Sequence, residues 1–352
     1  MHDNADPSAY IRDLWSEQER DANSRSERVK GLYIESDRDE DLTRLLNRLA
    51  RNAASRADPS LPYAANNRKP GMGIVISGDS GAGKTRMLQR MFRNNPLFPN
   101  YGTFDAAPSP LISVQAPSPC TLLQLAIRIL QKLDYAPQRE IRENVAWLRV
   151  RDQMRAQGTL FLHIDDIQHV LAGLGETEVQ KVRDTLKDLM LLESPIQLIL
   201  SGIPELLPFT RMDRQLKRRL RYLYLPKIAE SQHGDFLAAS IDHYAGEAGL
   251  RTDLKTEDCI VPRLLHAGLY ELGMSLEILC EAVEFSLHRG AGVLTLKDFQ
   301  SSYADRNLMP NEQNIFASPA WQTIDASLVT PRTSEETEQE LKISKPRQRK
   351  KL

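Results

Sequence analysis

The sequence predicts an α/β core built on a parallel sheet, followed by a small all-helical lid domain. Between residues 71 and 202, short apolar runs alternate with amphipathic helical patterns, as in parallel sheets that helices cover on both faces. After Pro226 the helical patterns follow one another and no further strand is expected. The glycine-rich loop GDSGAGKT, at residues 78–85, joins the first apolar run to the first core helix and predicts a P-loop NTPase core.

Composition narrows the class of protein. The 352 residues suffice for one large or two modest domains, and 41% hydrophobic with 26% charged residues is ordinary for a globular protein. The longest apolar runs are shorter than the roughly 18 to 20 residues of a membrane helix, and the polar N-terminus does not resemble a signal peptide. Cys120, Cys259 and Cys280 are widely spaced, which predicts free thiols in a reducing compartment. We therefore expect a cytoplasmic protein.

The N-terminal part is expected to contain one helix and little other order. Residues 1–27 are rich in Asp, Glu, Arg and Ser, which predicts a flexible segment. Residues 28–70 are predicted to form a helical extension. Its helix is indicated by apolar residues at positions i, i+3, i+4 and i+7, namely Leu42, Leu45, Leu46 and Leu49.

The core is expected to span residues 71–226. Its predicted strands are 74–77, 111–116, 159–165 and 196–202, and its predicted helices are 84–94, 121–133, 138–156 and 178–192. The lid is expected to span residues 227–308, with helices near 231–247, 258–268, 275–289 and 295–305. Residues 309–352 turn irregular, then acidic, then basic, which predicts a disordered tail.

The loop after the first predicted strand carries the residues that hold a nucleotide. Glycines allow the backbone to wrap so that successive N–H groups point at phosphate oxygens, and a helix N-terminus adds a positive dipole end. Lys84 is predicted to reach the β- and γ-phosphates, and the Thr85 hydroxyl to ligate Mg²⁺. The cofactors expected are ATP and Mg²⁺, and the expected binding residues are Gly78, Asp79, Ser80, Gly81, Ala82, Gly83, Lys84 and Thr85.

Two adjacent carboxylates follow the third predicted strand, in TLFLHIDDIQH. Asp165 ends a buried strand, where a carboxylate holds Mg²⁺ through its water shell. Asp166 occupies the position of the residue that polarises the attacking water, where glutamate is commoner. Aspartate is one methylene shorter, which predicts slow hydrolysis. The alternative is a pair of carboxylates that only terminate a strand.

Other polar residues near these strands carry weaker signals. Ser201, at the end of the fourth predicted strand, is a candidate sensor of the γ-phosphate or of the attacking water. The alternative is a serine that only ends a strand. His163 and His169 have no second set of metal ligands in view, so we interpret them as packing residues.

A basic stretch follows the fourth predicted strand. Such a run often forms only a solvated face, but this position suits an arginine that reaches the γ-phosphate of a neighbouring subunit. A guanidinium is permanently charged and forked, which fits a phosphate across an interface. The basic residues are Arg211, Arg214, Lys217, Arg218, Arg219 and Arg221.

The order of these parts resembles the AAA+ ATPases of the TniB/TnsC group, which regulate DNA transposition. The pieces that carry the resemblance are RVKGLYIES, GDSGAGKT, LISVQAPSPCT, LFLHIDDIQH, LILSGIPEL and DRQLKRRLRYLYLP, within residues 28–305. The resemblance implies that Asp165 and Asp166 form the hydrolytic pair and that Lys84 and Thr85 bind nucleotide and magnesium. It also implies that Arg219, with Arg218 beside it, acts in trans by reaching the γ-phosphate bound to a neighbouring subunit. The region after Pro226 would be the lid.

The resemblance also implies a bacterial protein associated with the nucleoid, together with partners and a cycle. Members assemble on the backbone of duplex DNA as rings or helical filaments when ATP is bound. They mark a target site and recruit a DDE transposase, and a target-selection protein of the same transposon is a further expected partner. The transposase or a partner then stimulates hydrolysis and disassembly. The sequence departs from the pattern at Asp166 and in the lid, where Gly273, Met274 and Ser275 stand in place of a nucleotide-sensing arginine.

Candidate DNA contacts are less specific. The segment QREIRENVAWLRVRDQMR offers Arg139, Arg142, Arg149 and Arg151, and the basic tail offers Lys345, Arg347, Arg349, Lys350 and Lys351. Such residues would grip phosphates rather than distinguish bases. The alternatives are an exposed charged helix and a tail that serves solubility or binds the transposase.

Three other functions share such a core. A helicase loader or replication initiator has a similar core, but initiators usually append a DNA-recognition domain after the lid, and residues beyond 310 are too few for one. This disfavours an initiator and leaves a loader open. A signalling NTPase of the STAND type would need long repeat arrays. A small-molecule kinase would leave the arginine cluster and the lid unexplained.

Overall fold

The computed structural model of the chain describes residues 6–103, 108–118, 120–135, 139–171, 175–307 and 310–328. Its described residues divide into two compact units, a core unit within 35–79 and 83–226 and a lid unit drawn from the described residues of 6–34, 80–82 and 227–328. The strands are β1 (Gly73–Ser77), β2 (Leu111–Gln115), β3 (Phe161–Asp165), β4 (Gln197–Gly202), β5 (Leu220–Tyr224), β6 (Arg251–Asp253) and β7 (Val293–Thr295). The helices are α1 (Ala9–Asp13), α2 (Glu17–Gly31), α3 (Asp37–Ala53), α4 (Lys84–Asn94), α5 (Leu122–Lys132), α6 (Glu143–Ala156), α7 (Gln168–Leu171), α8 (Glu176–Leu191), α9 (Leu206–Met212), α10 (Arg214–Arg219), α11 (Glu230–Glu247), α12 (Ile260–Ala267), α13 (Leu272–His288) and α14 (Leu296–Asn307).

The core unit contains a five-stranded sheet in the order β2-β3-β4-β1-β5, with every neighbouring pair parallel. Strands β1, β3 and β4 are buried at every position because helices cover both faces of the sheet. The predicted α/β core with a parallel sheet is therefore confirmed. Since all strands run the same way, their carboxyl ends meet at one edge, where the loop after β1 also lies.

Helix α3 lies in the core unit and has the amphipathic pattern that the sequence predicts. Leu42, Leu46 and Leu49 are at most 1% exposed, so the leucine stripe faces the protein interior. At its N-terminus the Asp39 carboxylate accepts a hydrogen bond from the backbone N–H of Ser36. This N–H has no hydrogen-bond partner within the helix itself.

The sheet has a strand that the sequence analysis missed. Strand β5 forms the second half of the segment interpreted as a basic stretch, and it pairs with β1 at the edge of the sheet. Leu220 and Leu223 are buried while the residues between them are only half-buried, which is the pattern of an edge strand. The predicted helix from 138 is shorter than expected, because the backbone at Arg142 is extended and α6 begins at Glu143.

The lid unit is mainly helical, and it contains elements that the sequence analysis did not predict. Strands β6 and β7 form a small parallel pair after Pro226, where no strand was expected. Within residues 1–27, predicted to be flexible, α1 and most of α2 are helical, and α2 packs on α13. Ala22, Ser26 and Val29 form the buried stripe of α2, and such small residues give a weak apolar signal in a charged sequence.

The beginning of the predicted disordered tail also packs in the lid unit. Ile315 and Phe316 are fully buried, and short 3₁₀ helices span residues 311–313, 321–323 and 326–328. The Arg263 guanidinium donates to the Ser318 carbonyl at 2.9 Å and to the Ile315 carbonyl, which fixes this segment. The lid unit therefore extends beyond residue 308 to 328. The basic end of the chain, from 329, lies outside the described residues.

Two further observations concern the whole described chain. No described helix combines the length and the apolar character needed to cross a membrane. The three cysteines are free thiols, as predicted, with Cys120 and Cys280 buried and Cys259 exposed.

Candidate functional site

The loop between β1 and α4 has the backbone conformation that a phosphate cradle needs. Gly81 has φ 83° and Gly83 has φ 88°, a left-handed region that residues with a Cβ rarely adopt. Gly83 is the residue that caps the N-terminus of α4, so the turn leads directly into the helix. The first backbone N–H groups of α4 have no partner within the helix, and the helix dipole is positive here. An anion is therefore favoured at this position.

Lys84 lies beside the loop rather than in solvent. Its side chain is 8% exposed, and Nζ donates to the carbonyl oxygens of Gly78, at 2.7 Å, and Asp79, at 2.8 Å. The ammonium group thus sits against the backbone that would surround the phosphates. A partly desolvated cation at this place adds charge to the attraction of the helix N-terminus for an anion.

Asp165 connects the elements of the site through hydrogen bonds. It ends β3 with 5% exposure, and its two carboxylate oxygens accept hydrogen bonds from two other elements. The Thr85 hydroxyl of α4 donates to Oδ2 at 2.8 Å, and the Ser201 hydroxyl of β4 donates to Oδ1 at 2.5 Å. Mg²⁺ binds hard oxygens and commonly uses one or two protein groups together with substrate phosphates. The hydroxyl and carboxylate oxygens that Thr85 and Asp165 bring together fit this ion.

Behind Asp165 the hydrogen bonds continue through the sheet. His163, 4% exposed, places Nε2 at 2.8 Å from the Ser201 Oγ and Nδ1 at 2.8 Å from the Ser113 Oγ. Burial lowers the pKa of His163 to about 4, although the Asp165 and Asp166 carboxylates act in the opposite direction. The ring is therefore neutral at pH 7 and carries one N–H.

These contacts fix the direction of each hydrogen bond. Since the Ser201 hydroxyl donates to Asp165, its oxygen accepts from the Nε2–H of His163. The other ring nitrogen, Nδ1, then accepts from the Ser113 hydroxyl. His163 is thus a fully bonded residue of the sheet, and Ser201 directs its proton at Asp165.

Asp166 has a different environment from its neighbour. Its backbone has φ 52°, which is unusual for a residue other than glycine. Its carboxylate accepts from the Gln115 Nε2 at 3.0 Å and from the Gln168 Nε2 at 3.1 Å. A Cβ at Gly202 would lie 2.4 Å from the Gln168 Oε1, so this glycine leaves room for the amide. Each oxygen of the candidate base therefore accepts one amide N–H.

The sequence analysis missed His163, Gln115 and Gln168 as parts of this site. Gln115 ends β2 and Gln168 begins α7, just after β3, so both lie where the carboxyl ends of the strands meet. A polar residue at the end of each strand was the signal that the sequence offered for these residues. The sequence did not show which strand ends lie next to each other, because that depends on the order of the strands in the sheet.

The arginines proposed to act in trans lie on a separate element. Arg218, exposed, and Arg219, half-buried, end α10, and Asp213 caps this helix by accepting from the backbone N–H groups of Gln215 and Leu216. Hydrogen bonds join Thr85, Asp165, Asp166 and Ser201 into one cluster, whereas Arg218 and Arg219 belong to α10.

The remaining candidates are placed as follows. Arg151 forms an ion pair with Asp188, and Arg149 lies 3.8 Å from Asp152, whereas Arg139 and Arg142 are exposed. The lid positions Gly273, Met274 and Ser275 lie in the first half of α13. The tail residues Lys345, Arg347, Arg349, Lys350 and Lys351 lie outside the described residues.

Comparison with known proteins gives a family and a fold. The model of the family described as bacterial TniB protein matches residues 18–230. No curated protein sequence matches the chain significantly. Similar solved structures include Aeropyrum pernix Orc1 in complex with DNA, with 16% identity, TM-score 0.51, and coverage of 87% of this chain and 72% of that chain. Cdc6p of Pyrobaculum aerophilum shows 13% identity, TM-score 0.52, and coverage of 86% of this chain and 84% of that chain.

A third similar structure is the Orc2 protein of Aeropyrum pernix in ADPNP and ADP complexes. It has 15% identity, TM-score 0.52, and coverage of 78% of this chain and 68% of that chain. At such low identity these likenesses concern the fold alone. They agree with the parallel sheet and helical region described above, and the fold is that of the AAA+ ATPases.

Proposed function

The chain belongs to the TniB family, and from this premise we propose that it is an ATP-dependent regulator of DNA transposition. In this proposal the protein oligomerises on target duplex DNA in its ATP state. The assembly recruits and activates a DDE transposase, and ATP hydrolysis drives its disassembly. The assignment to an AAA+ ATPase family is the basis, and the specific cycle is our inference from it.

One observation carries the nucleotide part of the proposal. The Thr85 hydroxyl and the Asp165 carboxylate meet at 2.8 Å, which joins the glycine-rich loop to the end of β3. Lys84 lies against the same loop. These groups come from residues 80 positions apart in the chain and supply a cation, a hydroxyl and a carboxylate at one edge of the sheet. ATP with Mg²⁺ requires this combination.

Each residue then has a role in hydrolysis. Lys84 and the backbone N–H groups of α4 would bind the phosphates, and Thr85 with Asp165 would hold Mg²⁺. The chemistry that Mg²⁺ would supply there is positive charge against the negative charge that develops on the phosphates. Asp166 would accept a proton from the attacking water at a carboxylate oxygen. Because Gln115 and Gln168 each donate a hydrogen bond to one of its oxygens and so hold the carboxylate in place, we expect slow turnover until a partner breaks one of these bonds.

Assembly would connect this site to DNA and to partners. In the proposal Arg219, with Arg218 beside it, reaches the γ-phosphate bound by a neighbouring subunit, so that ATP favours the oligomer. Arg139 and Arg142, which are exposed, are candidates for contacts to DNA phosphates. Arg151 is a weaker candidate because its guanidinium already pairs with Asp188.

The second candidate is a helicase loader or initiator-type ATPase that remodels a protein partner. The solved structures named above include an Orc1 protein bound to DNA, but their similarity concerns only the fold. The family match favours the transposition regulator. The loader is therefore kept as an alternative outcome of the test.

The test is negative-stain imaging of the purified chain with duplex DNA, with and without a non-hydrolysable ATP analogue. The wild-type protein should form rings or filaments on DNA only with the analogue. Lys84→Ala should form none, because it removes the cation that binds the phosphates. Arg219→Ala should bind the analogue normally and fail to assemble, whereas Arg214→Ala, an exposed residue of the same helix, serves as the matched control and should assemble.

Each outcome decides between the candidates. DNA-bound oligomers of Lys84→Ala would contradict the coupling of ATP binding to assembly. Monomers of the wild-type protein under both conditions would contradict the transposition regulator and favour the loader, which needs its protein partner. Equal loss of assembly in Arg219→Ala and Arg214→Ala would contradict the specific role of Arg219.

A further inference from the structure

A row of polar side chains crosses the buried sheet beneath the candidate metal site. Ser113 of β2 lies directly opposite His163 of β3 in the register of the two strands, so both side chains share one face. His163 lies opposite Ile199 of β4, and Asp165 and Ser201, each two residues further along, share that face too. The other residues of β3 and β4 on this face are Phe161, Ile199 and, at the opposite end of β4, Gln197. Hydrogen bonds therefore run in sequence from Ser113 through His163 and Ser201 to Asp165.

The imidazole in this row is held in one position. The Phe92 ring of α4 packs against it at a centroid distance of 5.2 Å with 64° between the planes. Both ring nitrogens have a hydroxyl at 2.8 Å, from Ser113 and from Ser201. Rotating the ring would leave two buried polar atoms without partners, which is unfavourable. The direction of the Nε2–H is thus set by the fold.

A carboxylate needs such help to keep one orientation. The final torsion of an aspartate side chain is broad and nearly twofold, so rotamer preference does not decide where its oxygens point. A serine hydroxyl likewise rotates to suit its surroundings. Once the Ser201 oxygen accepts from His163, its own proton is left to point at the Asp165 Oδ1. The Asp165 Oδ2 then faces the Thr85 hydroxyl.

We propose that His163 is a positioning residue for the metal-holding carboxylate, acting through Ser201. By donating to the Ser201 Oγ it directs the serine proton onto Asp165 and fixes the carboxylate toward Thr85. This inference rests on the proposed ATPase function, because Asp165 would hold Mg²⁺ only in an enzyme that binds ATP with the metal.

A purely structural histidine would behave differently. If His163 only satisfied its own buried nitrogens, its replacement would weaken folding and nucleotide binding in the presence and absence of metal alike. A positioning residue changes the metal-dependent part of binding. The two roles therefore separate when the affinity for a nucleotide is measured with Mg²⁺ and again with EDTA.

The test compares two amides of different reach. Glutamine at position 163 places a side-chain N–H near the level of the histidine Nε2, whereas asparagine reaches only the level of Nδ1. The quantity measured is the Mg²⁺-dependent strengthening, which is the ratio of the dissociation constant of a fluorescent ATP analogue in EDTA to that in Mg²⁺. In His163→Gln we expect this ratio to stay within about threefold of the wild-type ratio. In His163→Asn we expect that strengthening to fall by about tenfold. With EDTA, all three proteins should bind the analogue within about twofold of one another.

A second pair of variants tests whether the effect passes through Ser201. In the background of Ser201→Ala, adding His163→Asn should change the Mg²⁺-dependent strengthening by less than about twofold, because the mediating hydroxyl is already absent. If His163→Asn does not fold, as judged by thermal unfolding, Ser113→Ala replaces it. That variant leaves the imidazole in place but removes the donor to Nδ1, and its Mg²⁺-dependent strengthening should fall by about threefold.

The outcomes separate the two proposals. A wild-type protein that does not bind the analogue with or without Mg²⁺ contradicts the proposed ATPase function. A wild-type protein with Mg²⁺-dependent binding that His163→Asn, or Ser113→Ala in its place, leaves intact contradicts only the role of His163. Equal losses in His163→Asn and His163→Gln, or additive losses with Ser201→Ala, also contradict it.

Discussion

Asp165 and Asp166 are adjacent in the chain, yet the structure treats their carboxylates differently. Asp165 is 5% exposed at the end of a strand, and hydroxyl groups from α4 and β4 donate to its two oxygens. Asp166 leaves the strand with φ 52° and accepts from the amides of Gln115 and Gln168. The first carboxylate is supported from within the sheet, and the second is held by the amides of two residues that follow the strand ends.

The difference suggests a division of labour. A metal-holding group benefits from a fixed orientation, because Mg²⁺ demands near-ideal geometry. A general base must exchange its hydrogen-bond partners to accept a proton from water. Asp166 also has a backbone conformation that costs roughly 1–2 kcal/mol in residues with a Cβ. We interpret Asp165 as the permanent part of the site and Asp166 as the part that a partner can release.

The largest expected effect comes from removing the supported carboxylate. Asp165→Asn replaces the anion that would hold Mg²⁺ with a neutral amide. Steady-state ATP hydrolysis should fall about a thousandfold, equivalent to about 4 kcal/mol of lost stabilisation. Binding of a fluorescent ATP analogue should become the same in Mg²⁺ and in EDTA. Mg²⁺-dependent binding that survives this change would show that another group holds the metal.

Lengthening the second carboxylate should have an effect of opposite sign. Asp166→Glu adds one methylene and lets the carboxylate reach beyond its two amide partners toward the attacking water. Basal ATP hydrolysis should rise by about tenfold, while the affinity for the ATP analogue stays unchanged. A lower rate in Asp166→Glu than in wild type would refute the view that aspartate is a weak base here.

Removing one of the amides sharpens the comparison further. Gln115→Ala deletes the 3.0 Å hydrogen bond to Asp166 and leaves one carboxylate oxygen free. Basal hydrolysis should rise by about threefold, in line with the loss of one ordinary hydrogen bond. Gln131→Ala, on the exposed surface of α5, is the matched control and should leave the rate unchanged. A fall in rate on Gln115→Ala would mean that the amide orients the base for catalysis.

The smallest effect is expected at Gly202. In Gly202→Ala the new Cβ would lie 2.4 Å from the Gln168 Oε1, so the flexible amide must move and give up its bond to Asp166. We expect a loss of about 1 kcal/mol in stability, a fall of about 2–4 °C in the unfolding temperature, and a rate increase of about twofold. Gly31→Ala, whose new Cβ meets no atom within 4 Å in α2, should leave the rate unchanged and should not lower the unfolding temperature.

Much of the core was predictable because its signals are local. The glycine-rich loop precedes a helix that begins at Lys84, as predicted, and Asp165 ends a strand of uninterrupted burial. The leucine stripe of α3 likewise predicted a helix whose leucines Leu42, Leu46 and Leu49 are buried. In each case the residue pattern and its periodicity are contained in one short stretch of sequence.

The features that the sequence analysis missed do not have local signals. Strand β5 lies in a basic segment without a clear strand pattern, and it is recognised as a strand by its pairing with β1. Helix α2 buries only small residues, including Ala22 and Ser26, so its pattern is weak until α13 is there to pack against. The bonds of Asp166 to Gln115 and Gln168 depend on which strand ends meet. Such features arise from contacts between distant parts of the chain.

The most direct test of the central claim compares Asp165→Asn with Asp166→Asn on duplex DNA with ordinary ATP and Mg²⁺. The measurement is the lifetime of DNA-bound assemblies, followed by imaging over time. The account predicts that Asp166→Asn assembles and persists for much longer than wild type, because it holds ATP but does not hydrolyse it, and that Asp165→Asn does not assemble. Equal behaviour of the two variants, whether both assemble or neither does, would contradict the division of labour between the two carboxylates.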